Sequence, residues 1–442
     1  MIGIGAVLRL LTEIAYGPAL YFYDSVTYLA QANGNLFLNP DEPAGYPLAI
    51  RALRLGASDL ALLTSAQHVA GLLAGVLVYV VVLRRSGSRA LGAAGAAVVV
   101  LDGYAIAVEQ YVMADAFFTA LLIASAAFLL LGRRRATLLA AGLLLAAACV
   151  VRSTGLFCVP VWLAYAIWRY RWSWTSLVCA VAVLLPLAAY AAANDAKTGH
   201  FGLTDDTAWL IYGRIGPIGS CRGVSVPAAD RILCPHGSQL DRSVNFYVNA
   251  PDSPAILAFG KPSIHAPPRV DRILLGYALA IMSARPLRYV GVTARSFLDF
   301  FLAGVPSDAA TENGALTLPK PGPWLWPYYH PKQRWPAGLL RAYAAVVHTV
   351  RPLLGLFLLF GVAGLFLRPP PGLPARGGLR PAIALLTGMG AALLLGSALA
   401  HFELRYTLPA IPLLTGGGLL GSASILARVQ GRVGRRRLTL AA

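Results

Sequence analysis

Residues 21–50 read YFYDSVTYLAQANGNLFLNPDEPAGYPLAI. This stretch is polar and rich in turn residues, yet strongly apolar segments flank it on both sides. Asp24 opens a short amphipathic run, and a loop that contains Asp41 and Glu42 follows it. A carboxylate at the edge of an apolar helix bundle costs solvation energy unless water or a partner group stabilises it, so such a residue is often retained for function. The stretch therefore predicts a polar site at the mouth of a membrane-embedded helical bundle.

The composition of the whole chain indicates a membrane protein. Of its 442 residues, 57% are hydrophobic and only 13% are charged, whereas about a quarter of the residues of a soluble protein are charged. The net charge is +18, but the arginines cluster in short runs between apolar segments, where they bind lipid headgroups and fix the topology. We therefore expect membrane lipids, and no nucleic acid, among the partners of this chain.

A helix needs about 20 apolar residues to cross the hydrocarbon core of a membrane. By this measure the sequence predicts an all-α polytopic protein with about ten transmembrane helices. The first predicted span is short, and Arg9 and Glu13 interrupt it, so no cleavable signal peptide is predicted and the true start of translation stays open. The predicted spans are roughly 2–19, 60–83, 90–107, 114–132, 137–151, 154–168, 174–194, 343–367, 381–400 and 407–427.

The placement of arginines predicts the orientation of these spans. Alternate connections carry arginine clusters and no Asp or Glu, which the positive-inside rule assigns to the cytoplasm. Both termini are then cytoplasmic, and the first loop lies outside the membrane. We divide the chain into an N-terminal transmembrane module (1–195) with a first outer loop over 20–59, an extracytoplasmic region (196–336), and a C-terminal transmembrane module with a basic cytoplasmic tail (337–442).

The long extracytoplasmic region has three recognisable features. Cys221 and Cys234 lie close together in a polar loop, and in an oxidising compartment they are expected to form a disulfide. An amphipathic stretch over 270–301 predicts a pair of helices in the outer membrane interface. An aromatic belt at headgroup depth is predicted from Trp324, Trp326, Tyr328, Tyr329 and Trp335.

Three carboxylates are candidates for chemistry. Asp24 is either the N-cap of a helix over 25–32 or a positioned general base, and the two roles are compatible. Asp115, with Glu109 just before it, is either an N-cap or a second acid near Asp24 that orients an acceptor or helps to ligate a divalent cation. The spacing of His and Cys residues shows no zinc motif, so no metal site is predicted and a need for a divalent cation stays open.

Two arginines in predicted outward turns are candidates for binding phosphate. Arg152 lies in VVRSTG and Arg405 in HFELRY, where Glu403 can pair with Arg405 and aim it. An outward arginine is either an anchor at headgroup depth or a ligand for phosphate, which its guanidinium fork matches well. Tyr46 and Pro47 are expected to fix a turn.

At these residues the sequence resembles the GT-C superfamily of membrane glycosyltransferases, which includes protein O-mannosyltransferases and aminoarabinose transferases. The resemblance lies in DSVTY (24–28) with PAGYPLAI (43–50), MADAFFTALL (113–122), VRSTGL (151–156) and HFELRYTLPAIPLL (401–414), in this order along the chain. The chain departs from the family where the first loop has a lone Asp instead of an Asp-Glu pair, and where position 115 is Asp instead of the commoner Glu.

The resemblance implies a function and roles for the candidate residues. The donor would be a polyprenyl-phosphate-linked sugar, and Asp24 would deprotonate an acceptor hydroxyl that attacks the anomeric carbon with inversion. Arg405 or Arg152 would bind the departing phosphate, with Glu403, Tyr28 and Tyr46 as orienting residues. The expected location is the outer face of a bacterial plasma membrane, and cell-wall synthesis in a GC-rich actinobacterium fits the composition.

The acceptor stays open between glycan, lipid and protein, and no cofactor is predicted with certainty. Two alternatives remain at this point. One is a flippase or transporter of a lipid-linked glycan precursor, which would need charges along a path through the bundle. The other is a glycan polymerase or ligase of unrelated helical fold.

Overall fold

The structure is a computed structural model that describes residues 1–39, 41–240, 242–260, 267–303, 317–320, 333–366, 378–400 and 404–440, with side chains up to residue 428. Glu403 lies outside the described residues, and so does the predicted aromatic belt except Trp335.

The described residues form an all-helical protein, as predicted. The only extended pairing among them is one isolated parallel bridge between Leu20 and Tyr111. The helices are α1 Ile2–Tyr16, α2 Tyr23–Asn33, α3 Gly45–Arg54, α4 Leu60–Ser86, α5 Arg89–Val100, α6 Gly103–Glu109, α7 Asp115–Leu131, α8 Arg135–Val151, α9 Cys158–Tyr170, α10 Trp174–Thr198, α11 Thr207–Ile215, α12 Val244–Asn249, α13 Pro254–Phe259, α14 Pro268–Ala284, α15 Pro286–Asp299, α16 Ala337–Val346, α17 Arg351–Phe366, α18 Leu379–Ala400 and α19 Thr407–Leu440.

Four described helices are long and apolar enough to cross a membrane: α4, α10, α18 and the stretch Leu404–Arg428 that includes most of α19. Two bent pairs, α5 with α6 and α16 with α17, raise this number to six if each pair is one span. The shorter helices α7 and α8 are also apolar. A multi-pass membrane protein is thereby confirmed, whereas the count of ten spans and their orientation stay predictions.

The two bent spans contact each other at their breaks. The α5–α6 pair bends by 49° and the α16–α17 pair by 45°. The Asp102 carboxylate caps α6 by accepting from Ala105 N–H (2.8 Å), and it also accepts from Thr349 N–H (2.6 Å). The Gly103 N–H donates to the Val347 carbonyl (2.7 Å). Non-helical backbone is tolerated inside a membrane bundle only where protein groups satisfy it, so these bonds stabilise both breaks together.

The described residues form two hydrophobic cores. The main core joins the apolar helices of the N- and C-terminal modules. A second, smaller core lies in the region 208–281 and brings α11 against α14. Leu274, Tyr277 and Ile281 of α14 are fully buried there. These side chains pack against α11 and its neighbours, and the place of the helix pair in the outer membrane interface stays a prediction.

Candidate active site

The first outer loop holds Asp24 in a fixed place. Leu20 pairs with the segment 110–112, where its N–H donates to the Gln110 carbonyl (2.9 Å) and its carbonyl accepts from Val112 N–H (3.0 Å). The Ser25 hydroxyl donates to the Val112 carbonyl (2.9 Å) and accepts from Phe22 N–H (2.8 Å). This anchor fixes the start of α2, and α2 carries Asp24.

Asp24 is not the N-cap of this helix. The helix α2 begins at Tyr23, with Phe22 as its N-cap, so Asp24 lies in the first turn. The sequence placed the start two residues late because Ser25, buried under the loop, takes the capping contact with Phe22 N–H. A carboxylate in the first turn is still favoured by the helix dipole, and here its side chain is left for another partner.

That partner is Arg405. Its Nη1 donates to Asp24 Oδ2 at 2.6 Å, in an ion pair that leaves 21% of the Asp24 side chain exposed. Arg405 lies in the 3-10 turn Leu404–Tyr406 just before α19. Its guanidinium carbon is 5.8 Å from the centre of the Phe22 ring and 5.6 Å from that of Tyr406. Ion-paired hydrogen bonds are short and strong, so this contact joins the first loop to the C-terminal module.

A second ion pair lies beside the first. Arg152, which follows the last residue of α8, donates through Nη1 to Asp115 Oδ2 at 3.2 Å. Both side chains are almost completely buried. The guanidinium carbon of Arg152 is 5.4 Å from the centre of the Tyr406 ring. Tyr406 therefore contacts both candidate phosphate ligands, and it was not among the residues selected from the sequence.

Asp24, Arg152 and Arg405 line one cavity of about 310 Å³, which we call the Asp24 cavity. Small-molecule sites range from about 300 to 1,000 Å³, so this cavity is large enough for the reacting part of a substrate. The motifs of the first loop, the α8–α9 turn and the α18–α19 turn thus meet at one place. The other lining residues are Asp41, Glu42, Ser153, Thr154, Asp205, Asp206, Trp209, Leu210, Val248, Asn249 and Tyr406.

Carboxylates are crowded on the wall of this cavity. Burial raises the pKa of Glu42 to about 7, where Arg152 lowers it and Asp24 raises it. Burial, together with the charges of Asp41 and Glu42, also raises the pKa of Asp206 well above its usual range. The sequence pointed to Asp41 and Glu42 only as loop residues. It offered no signal for Asp206, which lies far along the chain.

Tyr28 and Tyr46 are not among the residues that line this cavity. Both side chains are fully buried, and their rings meet edge to face with centroids 4.7 Å apart. The Tyr46 hydroxyl donates to Gln67 Oε1 at 2.6 Å. Both tyrosines therefore pack in the main core, and their orienting role stays a prediction.

Glu109 lies away from Asp24. Its two carboxylate oxygens accept from Arg9 Nε (2.7 Å) and Arg9 Nη2 (2.8 Å), and His68 Nδ1 lies 2.8 Å from Oε2. Arg9 and Glu109 are almost completely buried. Glu109 and Asp115 together line only a small cavity of about 40 Å³. The structure thus groups Glu109 with α1 and α4, whereas the sequence had grouped it with the first loop.

A larger cavity of about 840 Å³, which we call the Lys320 cavity, lies on the other side of the α18–α19 turn. Leu404 and Thr407 line the Lys320 cavity, whereas Arg405 and Tyr406 between them line the Asp24 cavity. The wall of the larger cavity combines alanine, leucine and proline side chains with the basic residues Lys320, Arg341, His348 and Arg351.

Two further expectations concern the disulfide and metal ligands. Cys221 and Cys234 are bonded, with Cα atoms 5.6 Å apart, which lies in the normal range. The bond closes a loop beside the second core, against which Cys221 packs and in which Cys234 is buried. Within the described part of the chain, no group of three or more His, Cys, Asp or Glu side chains is arranged to hold a metal ion.

Comparison with known proteins adds a family match. Residues 61–200 match the family model of dolichyl-phosphate-mannose-protein mannosyltransferase. No curated protein matches the sequence. The matched segment covers α4 to α10, and it contains Asp115 and Arg152 but neither Asp24 nor Arg405.

Solved structures with a similar arrangement have low sequence identity. ArnT from Cupriavidus metallidurans bound to undecaprenyl phosphate is 13% identical, with a TM-score of 0.39 over 96% of this chain and 76% of that chain. The Archaeoglobus fulgidus oligosaccharyltransferase in complex with Zn and sulfate is 12% identical, with a TM-score of 0.40 over 99% of this chain and 51% of that chain. This chain spans about half the length of the archaeal enzyme.

The family match covers the part of the chain that carries two of the quoted motifs, MADAFFTALL and VRSTGL. Over residues 61–200 the chain is therefore similar to the protein mannosyltransferases, one of the GT-C groups that the motifs resemble, and the predicted resemblance is confirmed for this segment.

Proposed function

We propose that this protein is a membrane glycosyltransferase that moves a sugar from a polyprenyl-phosphate-linked donor to an acceptor hydroxyl, with inversion, at the outer face of the plasma membrane. One observation carries the proposal. The Asp24 carboxylate and the guanidinium groups of Arg152 and Arg405 line the same cavity. A base and cations for a leaving phosphate are the two chemical requirements of this transfer.

In the proposed reaction Asp24 is the general base. Arg405 contacts Oδ2, and we assign the proton-accepting role to the other oxygen, Oδ1. The proton of the acceptor hydroxyl passes to Oδ1 while its oxygen forms a bond to the anomeric carbon. The bond between that carbon and the phosphate oxygen breaks, and its electron pair leaves with polyprenyl phosphate. A positioned base typically contributes about 10²–10⁴-fold to such a step.

Arg405 is the better candidate for the leaving phosphate. Arg152 is held by Asp115, and both of these side chains are almost completely buried. Arg405 pairs with Asp24, whose side chain is more exposed, at the wall of the cavity. The phosphate gains negative charge as the sugar departs, so a fixed guanidinium beside it stabilises the transition state more than the ground state. The Tyr406 ring contacts the guanidinium groups of both Arg152 and Arg405.

The Lys320 cavity is the best place for the lipid part of the donor. A polyprenyl chain is about as apolar as a bilayer, and the cavity combines apolar walls with basic side chains that attract phosphate. The described residues 404–407, which form the turn with Arg405, contribute to the walls of both this cavity and the Asp24 cavity. The donor would therefore cross this turn, with its tail on one side and its sugar on the other.

The decisive experiment incubates the purified protein in detergent with a panel of polyprenyl-phospho-sugars and measures released polyprenyl phosphate. A transferase releases it without a sealed membrane, whereas a flippase moves the donor only across sealed vesicles. Release in detergent that depends on an added acceptor supports the proposal. Translocation into vesicles without release would favour the transporter instead, and polymer formation from the donor alone would indicate a polymerase.

The buried charges of the bundle give the transporter little support. A transport path needs charged groups along a cavity through the membrane. Arg9 and Glu109 neutralise each other through two hydrogen bonds, and the cavity beside Glu109 is only about 40 Å³.

A further inference from the structure

Gln67 lies on the apolar helix α4, and its side chain is completely buried. Its Nε2 donates to the Glu109 carbonyl (2.7 Å) and to the Tyr111 carbonyl (2.8 Å). Its Oε1 accepts from the Tyr46 hydroxyl (2.6 Å). Both hydrogens of the amide are thereby used, and a buried amide is costly unless it is paired in this way. These bonds therefore fix the orientation of the Gln67 side chain.

The two carbonyls that Gln67 binds belong to residues 109–112, which begin where α6 ends and precede α7. Gln67 and the first loop bind the four carbonyls of this segment alternately. Gln67 binds those of residues 109 and 111, the Leu20 N–H binds that of residue 110 (2.9 Å), and the Ser25 hydroxyl binds that of residue 112 (2.9 Å). Non-helical backbone is tolerated inside a membrane bundle only where protein groups satisfy it. The segment therefore depends on Gln67 and on the first loop together.

Asp24 is directly attached to this connection through its neighbour Ser25. The Ser25 hydroxyl binds the segment 109–112 and also accepts from Phe22 N–H (2.8 Å), so the segment fixes the first turn of α2. Without Gln67, two buried carbonyls of the segment would lack their donor, and such groups turn toward water or another partner. The carbonyls beside them would turn as well, because successive peptide planes share a Cα atom. The first turn of α2 would then leave the place in which Asp24 contacts Arg405.

A second series of contacts leads from Gln67 to the same helix. Tyr46, whose hydroxyl binds Gln67 Oε1, meets the Tyr28 ring edge to face, with the centroids 4.7 Å apart. Tyr28 lies one turn after Asp24 on α2, and residues four apart share one side of a helix. Gln67 thus contributes to the position of α2 both through the segment 109–112 and through the two tyrosine rings.

We propose that Gln67 is a positioning residue for the general base: its amide fixes the segment 109–112 and thereby the place of the Asp24 carboxylate beside Arg405. This inference rests on the proposed function, in which Asp24 accepts the proton of the acceptor hydroxyl. Gln67 is not among the residues that line the Asp24 cavity or the Lys320 cavity, so its effect on the reaction passes through Asp24. Turnover should therefore depend on Gln67 far more strongly than the affinity for the donor does.

Backbone hydrogen exchange, measured by mass spectrometry on the purified full-length protein in detergent, tests this connection without any substrate. Gln67→Met keeps the length of the side chain and removes both donors. In this variant the amides of residues 20–25 should exchange about tenfold faster, while those of α14 in the second core keep their protection. Ser125→Ala is the matched control, because it removes a buried bond between α7 and α8 (Ser125 Oγ to the Ala141 carbonyl, 2.7 Å), and it should leave residues 20–25 protected. Unchanged exchange of residues 20–25 in Gln67→Met would overturn the proposal.

Release of polyprenyl phosphate tests the consequence for the reaction. Gln67→Met should lower kcat about 10–100-fold, as a misplacement of about 1 Å does, and should leave KM for the donor within about threefold. In the Asp24→Asn background the same substitution should lower kcat less than about twofold, because a positioning residue has no effect once the base is absent. Losses of kcat that simply multiply in the double variant would mean that Gln67 acts on the fold alone, and the positioning role would be refuted.

Ser25→Ala is the second variant, for the case that Gln67→Met does not fold. It removes the bond between the first loop and residue 112, and it should show the same faster exchange and the same lack of a further effect in the Asp24→Asn background. If Asp24→Asn is inactive but Gln67→Met turns over normally, the general base stands and only the positioning role fails. If no donor in the panel is turned over, the proposed function fails, and the exchange of residues 20–25 alone decides whether Gln67 fixes the place of the Asp24 carboxylate.

Discussion

Two of the guanidinium–carboxylate contacts among the described residues have opposite surroundings. Arg9 and Glu109 form a two-bond pair among α1, α4 and α6, with His68 on the same carboxylate and side chains 3% and 5% exposed. Arg405 and Asp24 form a one-bond pair on the wall of the Asp24 cavity, and the Asp24 side chain is 21% exposed. Both arginines are thus largely buried, whereas the carboxylate is saturated in one place and partly accessible in the other.

This difference indicates that the Arg9–Glu109 pair serves the stability of the fold, whereas the Arg405–Asp24 pair is placed to take part in the reaction. A buried pair is tolerated when hydrogen bonds satisfy both partners, and removing one partner leaves an uncompensated charge. A pair on a cavity wall can exchange one partner for a substrate group. We therefore expect substitutions of the first pair to act on stability, and substitutions of the second pair to act on turnover.

The largest expected effect that distinguishes the two pairs is the loss of turnover in the variant Asp24→Asn. This variant keeps the shape of the side chain but removes the general base, so turnover should fall by about 10²–10⁴-fold. Thermal unfolding in detergent and donor binding should stay close to those of the unchanged protein. Released polyprenyl phosphate measures turnover, and near-normal release would remove Asp24 from the mechanism.

The reverse pattern is expected for Glu109→Gln. The variant leaves Arg9 buried without its counter-charge, which typically costs about 3–5 kcal/mol of unfolding free energy. Turnover per folded molecule should change little. Denaturant or thermal unfolding measures the first effect. A large loss of turnover with unchanged stability would contradict the structural role of this pair.

The double variant Arg9→Met, Glu109→Met tests the same pair by removing both charges at once. Replacing both members of a buried pair with apolar side chains of similar volume is often neutral. The double variant should therefore be more stable than Glu109→Gln alone. The coupling between the two positions follows from the double-mutant cycle.

The two pairs also show which features of the fold and of the site could be predicted from the sequence. Apolar runs and arginine clusters predict an all-helical membrane protein, because a membrane helix must be locally apolar over its whole length. Asp24, Arg152 and Arg405 were found because each stands in a polar turn between apolar segments. Local context of this kind can be seen without a structure.

Partners distant in sequence could not be found in this way. Arg9 and Glu109 are 100 residues apart, and Asp24 and Arg405 are 381 apart. The sequence analysis therefore grouped Glu109 with its neighbour Asp115, whereas in the structure Glu109 contacts Arg9. The approach of Asp205, Asp206 and Trp209 to the Asp24 cavity depends on how the extracytoplasmic region folds back on the first loop, and no local pattern encodes that contact.

The variant Arg405→Ala tests the second pair by its effect on the affinity for the donor. Loss of one charge-assisted contact to phosphate should weaken donor binding by about 1.5–3 kcal/mol, measured by equilibrium binding of the polyprenyl-phospho-sugar. Arg405→Lys keeps the charge without the planar fork and should recover only part of this loss. Arg169→Ala, at an exposed position of α9, is the matched control. Unchanged donor binding in Arg405→Ala would make this residue an anchor for Asp24 alone.

The smallest expected effect concerns pH. Burial raises the pKa of Glu42 to about 7, so this carboxyl group is mostly neutral below that value and mostly charged above it. A negative charge on the cavity wall repels the donor phosphate, so donor affinity should fall as the pH rises through about 7. The effect is modest because Arg152 lies close and offsets part of the charge.

Glu42→Gln removes this titration while it keeps the size of the side chain. Donor binding, measured about one pH unit below and one unit above neutrality, should then become nearly independent of pH. In the unchanged protein the affinity at the lower pH should be higher. A pH dependence that persists in Glu42→Gln would assign it to another group of the cavity, of which Asp206, with its raised pKa, is the first candidate. Asp206→Asn would then flatten the profile, and the start of the extracytoplasmic region rather than the first loop would set the pH response of the site.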